Sequence, residues 1–209
     1  MNILEKPRYT IVRLSVLIEA YSDNEGKLKD ILSTFDCANN MDVDKFFKEK
    51  AIEFDKQGIS KTHIVMTSYK EKQVIVGYFT LCNKSFVIKN TQRNLSSSIK
   101  RRLSKFAQYD ADAKQYTLSA PLIGQLGKND NYKDLITGDD LLKFACDAVK
   151  EVQVFLGGRY VYLECEDNQK LLDFYGSNGF VNFGRRELEC DEKNLIGGSY
   201  LIQMLKYLK

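Results

Sequence analysis

A tyrosine stands at the end of a short helical pattern, at a point where the chain can turn sharply. Residues 168–180 read NQKLLDFYGSNGF, so Tyr175 is followed directly by Gly-Ser-Asn-Gly. Glycine and asparagine permit a tight turn, and we therefore expect the Tyr175 hydroxyl to be mobile and exposed. A phenol in such a position can transfer a proton. The alternative is a ring that packs while its hydroxyl stays hydrated.

A second candidate site lies where a polar connection leads into a strong helical pattern. Residues 133–142, KDLITGDDLL, begin this helix near Thr137. The first backbone N–H groups of a helix lack internal partners and carry the positive end of its dipole, so they can bind a phosphate. Thr137 and Asp140 also fit a capping box, in which side chains satisfy these donors without a ligand. Both interpretations stay open.

One segment of the chain carries charge of a single sign. Residues 91–106 contain Arg93, Lys100, Arg101, Arg102 and Lys105 and no acidic residue. The segment is either a solvated loop with a short helix or a surface for a phosphate-bearing substrate or cofactor. The net charge of the whole chain is +3, which is too small to require a nucleic-acid partner.

Residue types that bind metals or form disulfides are few and scattered. The single histidine, His63, lies in an apolar strand pattern, which indicates a structural or surface role. The five cysteines are widely spaced and contain no CxxC pair, which argues against a disulfide framework and against a zinc site. We expect reduced thiols and no metal. The cysteines are Cys37, Cys82, Cys146, Cys165 and Cys190.

The composition is that of a globular protein, with 44% hydrophobic and 28% charged residues among 209. No apolar run approaches the ~20 residues that a membrane span needs, and the first residues do not resemble a secretory signal. We expect a cytoplasmic protein with no membrane partner.

Helical and strand patterns alternate in a way that can position these candidates. Helices are predicted over 25–35 and 43–54, and a hairpin over 62–67 and 73–81 that 86–88 extend or follow as a third strand. A strand over 116–126 precedes the long helix from Thr137 to Gly157, and a strand over 159–166 precedes the short helix with Tyr175. Two strands, 181–188 and 199–208, complete the pattern. The long helix has a predicted buried stripe of Leu141, Leu142, Ala145, Val149 and Val152.

Together these motifs resemble the GNAT superfamily of acetyl-CoA-dependent N-acyltransferases over residues 41–209. That family has an Asn, a short helix, Phe-Tyr, a small loop and Gly-Phe where this chain has 168–180. The pyrophosphate signature of the family is Gln or Arg, two residues, Gly, one residue, and Gly or Ala. It falls on Lys133, Ile136 and Gly138, and of these only Gly138 matches outright.

The resemblance implies an α/β (α+β) fold with a mixed, mostly antiparallel central sheet flanked by helices. The strand that ends with residues 122–128 and the strand over 160–166 would separate in a V-shaped split, where the pantetheine arm of coenzyme A pairs like an added strand. Residues 1–40 would be an extension packed on the acetyltransferase domain, 41–209.

The resemblance also implies an enzyme that transfers an acetyl group from acetyl-CoA to a primary amine through a tetrahedral intermediate. Tyr175 would protonate the departing thiolate of coenzyme A, and Glu166 is a candidate base beside the alternative Glu164. Acetyl-CoA would be the acyl donor. Its predicted contacts are Leu126, Gly127, Lys128, Lys133, Ile136, Thr137, Gly138, Asp139 and Asn168.

The acceptor is open at this point. The layout of residues 95–126 is similar to that of bacterial GNAT toxins that acetylate the α-amine of aminoacyl-tRNA, so the acceptor is a small amine, a peptide or protein amine, or charged tRNA. Two other functions remain as alternatives: a non-catalytic acetyl-CoA-binding regulatory module and an interaction protein that keeps only the fold. The acyl-chain length, the oligomeric state, a homodimer included, and the role of residues 1–40 also stay open.

Overall fold

The computed structural model describes residues 8–38, 40–89, 96–188 and 198–209. Its strands are β1 (Tyr9–Arg13), β2 (Lys61–Tyr69), β3 (Lys72–Lys89), β4 (Gln108–Asp110), β5 (Gln115–Lys128), β6 (Tyr160–Cys165), β7 (Val181–Glu187) and β8 (Tyr200–Tyr207). Its helices are α1 (Leu14–Ala20), α2 (Glu25–Ser33), α3 (Met41–Lys45), α4 (Ala51–Gln57), α5 (Ser97–Leu103), α6 (Gly138–Leu156) and α7 (Gln169–Ser177). A π-helical turn (Phe46–Lys50) joins α3 to α4, and a 3-10 turn (Asp130–Tyr132) follows β5.

Short polar residues and glycines explain where several helices begin and end. The side chain of Asn24 accepts a hydrogen bond from the first turn of α2, and Asn40 and Asn168 do the same for α3 and α7. Gly58 follows α4 in the left-handed conformation, with a φ of 72°. The helices predicted over 25–35 and 43–54 are confirmed, the second as α3, the π-helical turn and α4.

The described strands form an eight-stranded sheet in the order β1-β2-β3-β5-β6-β8-β7, with β4 paired to β5. The pairs β1–β2, β2–β3, β4–β5, β6–β8 and β7–β8 are antiparallel, whereas β5 and β6 are parallel. The prediction of a mixed, mostly antiparallel sheet is confirmed. The register between β5 and β6, in the part of the chain that is described, joins Leu122 to Tyr162 and Ile123 to Leu163. The predicted split between these strands requires a short register of this kind.

The described residues up to Leu81 and residues Gly124–Ala145 form one compact unit. Its core joins side chains of α1–α4 and the π-helical turn to side chains of β2 and β3 on one face. The described part of residues 1–40 supplies β1, α1 and α2 of this unit. The largest fully buried members of the core include Leu14, Leu28, Leu32, Phe35, Phe47, Ile64 and Tyr78.

The described residues between Cys82 and Ile123 and between Cys146 and Lys209 form a second compact unit. Its core is rich in aromatic rings: Phe86 lies 4.4 Å from Tyr162 and 4.9 Å from Phe183 between ring centroids. Leu103 of α5 is fully buried in the same cluster, so the short basic helix is anchored to the sheet by one apolar side chain. Residues 86–88 extend β3, as one of the two predictions allowed.

Two sequence predictions need correction. Val152 is 44% exposed and does not belong to the buried stripe of α6, whereas Leu141, Leu142, Ala145 and Val149 are buried as predicted. The short strand β4 was missed because its three residues are all exposed and carry no apolar alternation. Among the described residues, no helix combines the length and the apolar character that crossing a membrane requires.

Candidate functional site

A side-chain cap closes the first turn of α6. The Thr137 hydroxyl accepts a hydrogen bond from the Asp140 backbone N–H at 3.0 Å and donates one to the Asp140 carboxylate at 2.6 Å. The Thr137 half of the predicted capping box is therefore present, and the Asp140 carboxylate binds the Thr137 hydroxyl instead of its backbone N–H. The Thr137 hydroxyl thus occupies the Asp140 backbone N–H, one of the N-terminal donors of the helix. A phosphate at this helix start would therefore use earlier backbone N–H groups, at and before Gly138.

The other two positions of the pyrophosphate signature differ in exposure. Lys133 is exposed just after the 3-10 turn, so its ammonium group can reach an anion. Ile136 is 2% exposed, and its side chain is core, so this position can offer a ligand only its backbone. Asp139 is exposed in the first turn of α6. Its carboxylate interacts favourably with the positive end of the helix dipole but repels a bound phosphate.

Gly127 lacks a side chain because the packing leaves no room for one. A Cβ atom built on Gly127 would lie 2.4 Å from Val43 Cγ1, 3.1 Å from Tyr78 Cε1 and 3.2 Å from Phe35 Cζ. Its neighbours Leu126 and Lys128 are half-buried. Gly127 thus brings the end of β5 close to α3, and contact with a ligand is not needed to explain a glycine here.

Asn129 is a buried polar residue that the sequence analysis did not single out. It is fully buried at the end of β5, and its side chain donates to the Ile75 carbonyl at 2.7 Å and to the Thr34 carbonyl at 3.3 Å. Its side-chain oxygen accepts hydrogen bonds from the backbone of Asp36 at 3.3 Å and Asn131 at 3.1 Å. An Asn between a strand and a helix start is a weak sequence signal, since polar residues are common in such connections.

Tyr175 is 9% exposed, so its ring is packed, as the alternative interpretation of the sequence allowed. Its ring packs beside Phe174 and Phe180, at centroid distances of 5.0 and 5.9 Å. The turn after α7 brings Phe180 back, with its backbone N–H donating to the Tyr175 carbonyl at 3.0 Å and Gly179 at a φ of 81°. The glycine-rich turn therefore covers the ring instead of releasing it.

The environment of Tyr175 keeps its phenol protonated. Burial raises the pKa of the Tyr175 phenol above its usual value of about 10, and the nearby Cys165 thiol raises it further. Within the part of the chain that is described, the Tyr175 hydroxyl makes no hydrogen bond to another residue, and its oxygen is not among the fully buried polar atoms without a partner. A neutral phenol on a packed ring can donate a hydrogen bond to a group that a ligand brings.

The two candidate bases differ in their surroundings. Glu164 accepts hydrogen bonds from the Arg186 guanidinium at 2.8 and 2.9 Å and from the Gln203 amide at 2.8 Å. This half-buried carboxylate is fully engaged in a structural ion pair. Glu166 is exposed beyond the end of β6. Asn168, predicted to contact the cofactor, caps α7 by accepting from the Lys170 backbone at 2.9 Å.

The described part of the basic segment is a short surface helix. Arg101 and Arg102 are exposed on α5, and the guanidinium of Arg102 lies 5.4 Å above the ring of Tyr207. Arg102 also lines a shallow pocket with Tyr160 and Lys209. Arg93 lies outside the described residues.

The remaining candidates for chemistry have structural surroundings. Cys37, Cys82, Cys146 and Cys165 carry free thiols, and Cys190 lies outside the described residues. Burial raises the pKa of both Cys37 and Cys165 to about 11, so neither is a thiolate at neutral pH. The His63 ring stacks on Phe79 at 4.8 Å. The described His, Cys, Asp and Glu residues include no group that could hold a metal ion.

The grouping of the predicted site residues follows the two units. Leu126 to Lys128, Lys133 and 136–139 all belong to the first unit, around the end of β5 and the start of α6. Glu166, Asn168 and Tyr175 belong to the second unit, around the end of β6 and helix α7.

Comparison with known proteins identifies the fold. No protein-family profile and no curated protein sequence matches the chain. The solved structures similar to it include AtaT complexed with acetyl-methionyl-tRNAfMet, with 19% identity, a TM-score of 0.60 and coverage of 93% of this chain and 94% of that one. A tyrosine-to-phenylalanine mutant of KacT has 15% identity, a TM-score of 0.59 and coverage of 93% of this chain and 94% of that one. A tyrosine-to-phenylalanine mutant of the toxin AtaT, bound to the C-terminus of the antitoxin AtaR and acetyl-CoA, has 17% identity, a TM-score of 0.57 and coverage of 95% of this chain and 92% of that one. The predicted GNAT-like fold is confirmed.

Proposed function

We propose that the chain is an N-acetyltransferase that moves an acetyl group from acetyl-CoA to a primary amine. The observation that carries this proposal is the buried, protonated Tyr175 at the end of α7, in a chain with the fold of AtaT and KacT. The solved AtaT structures include one bound to acetyl-CoA, which supports acetyl-CoA as the donor here.

The chemistry begins with attack of the neutral amine nitrogen on the thioester carbonyl carbon. The carbonyl oxygen becomes an oxyanion, and a backbone N–H of residues 126–128 is the proposed donor to it. The C–S bond then breaks, the nitrogen gives up its proton, and the sulfur gains one. The products are an amide and the free thiol of coenzyme A.

Tyr175 is proposed to act on the departing sulfur. A phenol whose pKa is raised is a weaker acid than a thiol of ordinary pKa, about 8.5, so its first contribution is a strong hydrogen bond to the developing thiolate. Burial raises thiol pKa values as well, as it does for Cys165, and the same effect on the leaving thiol makes proton transfer from the phenol easier. The phenol recovers its proton from the N-protonated intermediate.

Glu166 is the better candidate base, because Arg186 and Gln203 already occupy the Glu164 carboxylate. Exposed Glu166 is the proposed acceptor, through water, of the proton that the ammonium form of the acceptor loses before attack. An α-amine has an ordinary pKa near 8, so about a quarter of it is already neutral at about pH 7.5. Weak base assistance is therefore sufficient for an α-amine and insufficient for a lysine side chain.

Charged tRNA is the second candidate acceptor. It is favoured by the exposed arginines of α5 and by the AtaT complex with acetyl-methionyl-tRNAfMet. Cationic side chains in a row would bind the phosphate backbone of an RNA acceptor and place its aminoacyl end.

The test is a thiol-release assay with acetyl-CoA against small amines, peptides and aminoacyl-tRNA, together with calorimetric titration of acetyl-CoA. Thiol release that depends on one acceptor supports the enzyme. Binding of acetyl-CoA with no thiol release from any acceptor would support a regulatory module instead. If acetyl-CoA produces no binding heat and no acceptor gives thiol release, the result would support an interaction protein with this fold.

A further inference from the structure

The connection between β5 and α6, residues 129–137 and here called the entry loop, is held at both ends by the N-terminal part of the chain. We propose that Asn129 and Tyr9 are positioning residues for acetyl-CoA binding, because they fix the entry loop and the first turn of α6 to residues 8–38. This inference rests on the proposed function and assigns a role to the N-terminal region, which the sequence left open.

The first end of the entry loop is fixed through Asn129. Its side chain uses two donors and one oxygen to bind the backbone of Thr34, Asp36 and Ile75, and its own N–H donates to the Val76 carbonyl at 2.9 Å. The residue is fully buried, so any of these groups left without a partner would lose its hydration with nothing to replace it. Asparagine is the side chain that offers donors and an acceptor in this compact arrangement.

The next residue adds two more links between the same segments. The Asp130 backbone N–H donates to the Asp36 carbonyl at 2.7 Å, and the Asp130 carboxylate accepts from the Ala38 N–H at 2.9 Å. Residues 34–38 therefore follow the entry loop as it leaves β5. These bonds join residues that are more than 90 positions apart in the sequence.

The second end is fixed through Tyr9 of β1. The Tyr9 hydroxyl donates to the Leu135 carbonyl at 2.6 Å, one residue before Ile136 and two before the cap residue Thr137. The Tyr9 ring also meets the Phe144 ring of α6 edge-on, at a centroid distance of 5.4 Å. One side chain thus holds both the end of the entry loop and the helix that follows it.

Fixed backbone donors bind an anion more tightly than mobile ones, because less conformational freedom is lost on binding. The proposed phosphate donors lie at residues 136–138, directly after the carbonyl that Tyr9 holds. Loss of the Tyr9 hydroxyl should therefore weaken acetyl-CoA binding while the chemical step, which uses other groups, stays unchanged.

The test compares Tyr9→Phe with the matched control Tyr78→Phe. Each substitution removes one hydroxyl that donates to a backbone carbonyl at 2.6 Å in the same unit, and the Tyr78 hydroxyl binds Val43 and not the entry loop. We expect Tyr9→Phe to raise the Kd and KM for acetyl-CoA about fivefold, the equivalent of one hydrogen bond, with kcat unchanged. Tyr78→Phe should lower the Tm at least as much and leave Kd and KM within about twofold of the wild type.

Hydrogen exchange of the free proteins gives a second readout that does not depend on catalysis. Tyr9→Phe should accelerate amide exchange in residues 133–140, and Tyr78→Phe should not. Unchanged exchange there, or equal loss of acetyl-CoA affinity in both variants, would overturn the positioning role. If the wild-type protein binds no acetyl-CoA, the proposed function is wrong, and the exchange data still decide whether Tyr9 holds the entry loop.

Discussion

Replacing Gly127 with alanine should destabilise the first unit through a steric overlap that the structure locates. The new Cβ would lie 2.4 Å from Val43 Cγ1, more than about 1 Å inside an ordinary carbon–carbon contact of about 3.5–4.0 Å. Val43 cannot easily retreat, because Tyr78 donates a hydrogen bond to its carbonyl at 2.6 Å and both residues are buried. Overpacking of this kind costs about 1–3 kcal/mol.

A double-mutant cycle with Val43→Ala measures the overlap directly. Val43→Ala alone removes two buried methyl groups and should cost about 2 kcal/mol. In the double variant the methyl group introduced at position 127 occupies part of the vacated space, so the stability should match that of Val43→Ala within about 0.5 kcal/mol. The expected coupling energy is about 1–2 kcal/mol in favour of the pair.

Urea unfolding of the wild type, both single variants and the double variant provides the four free energies of unfolding. Gly26→Ala serves as the control, because the nearest atom to its added Cβ lies 3.5 Å away and the residue is in α2. It should raise stability by about 0.5–1 kcal/mol. Additive effects of the two substitutions, or a Gly127→Ala protein as stable as the wild type, would refute this account of Gly127.

Two further predictions concern a buried thiol and the basic helix. Burial raises the pKa of the Cys165 thiol to about 11, against an ordinary value of 9.0, so the folded state keeps this thiol protonated. The stability that the protonated Cys165 thiol contributes is complete below pH 9 and is lost as the pH rises from 9 to 11. The free energy of unfolding of the wild type should therefore fall between pH 8 and pH 10 by about 1 kcal/mol more than that of Cys165→Ala, and parallel curves would contradict this. Replacing both Arg101 and Arg102 with glutamine should lower thiol release with charged tRNA about tenfold or more at about 150 mM salt and spare a small amine. The control Lys27→Gln/Lys72→Gln removes the same charge from exposed sites elsewhere, and equal losses with both acceptors would remove the RNA hypothesis.

Local patterns in the sequence were sufficient for most of the elements. The caps at Asn24 and Asn168 and the stop at Gly58 act within one helical turn, so a short window of sequence contains them. The hairpin was equally predictable from local sequence, since its turn at Lys70 and Glu71 separates two runs of β-rich sequence.

The surroundings of the candidate site residues could be predicted less well from the sequence, because they depend on contacts between distant segments. The burial of Tyr175 is produced by its neighbours Phe174 and Phe180 together with the turn between them, and spacing alone fits an exposed or a covered ring equally well. Gly127 resembles a ligand-binding glycine until Val43 and Phe35 are placed beside it.

Asn129 illustrates the same limit in another way. Its partners at Thr34 and Asp36 lie more than 90 residues earlier, and nothing in the residue types of either segment specifies that they meet. Helix caps, by contrast, place donor and acceptor within three residues. Long-range polar networks therefore need the fold before their role in a site can be assigned.

Paired binding and turnover measurements on Tyr175→Phe test the central claim most directly. Acetyl-CoA affinity by calorimetry should stay within about twofold of the wild type, while kcat for thiol release falls about 100-fold, within the usual range for loss of an acid catalyst. Because the Tyr175 pKa is raised, wild-type kcat should not fall through ionisation of this phenol between pH 8 and pH 10. A Tyr175→Phe protein that releases thiol at the wild-type rate across this range would contradict the proposed role of the phenol.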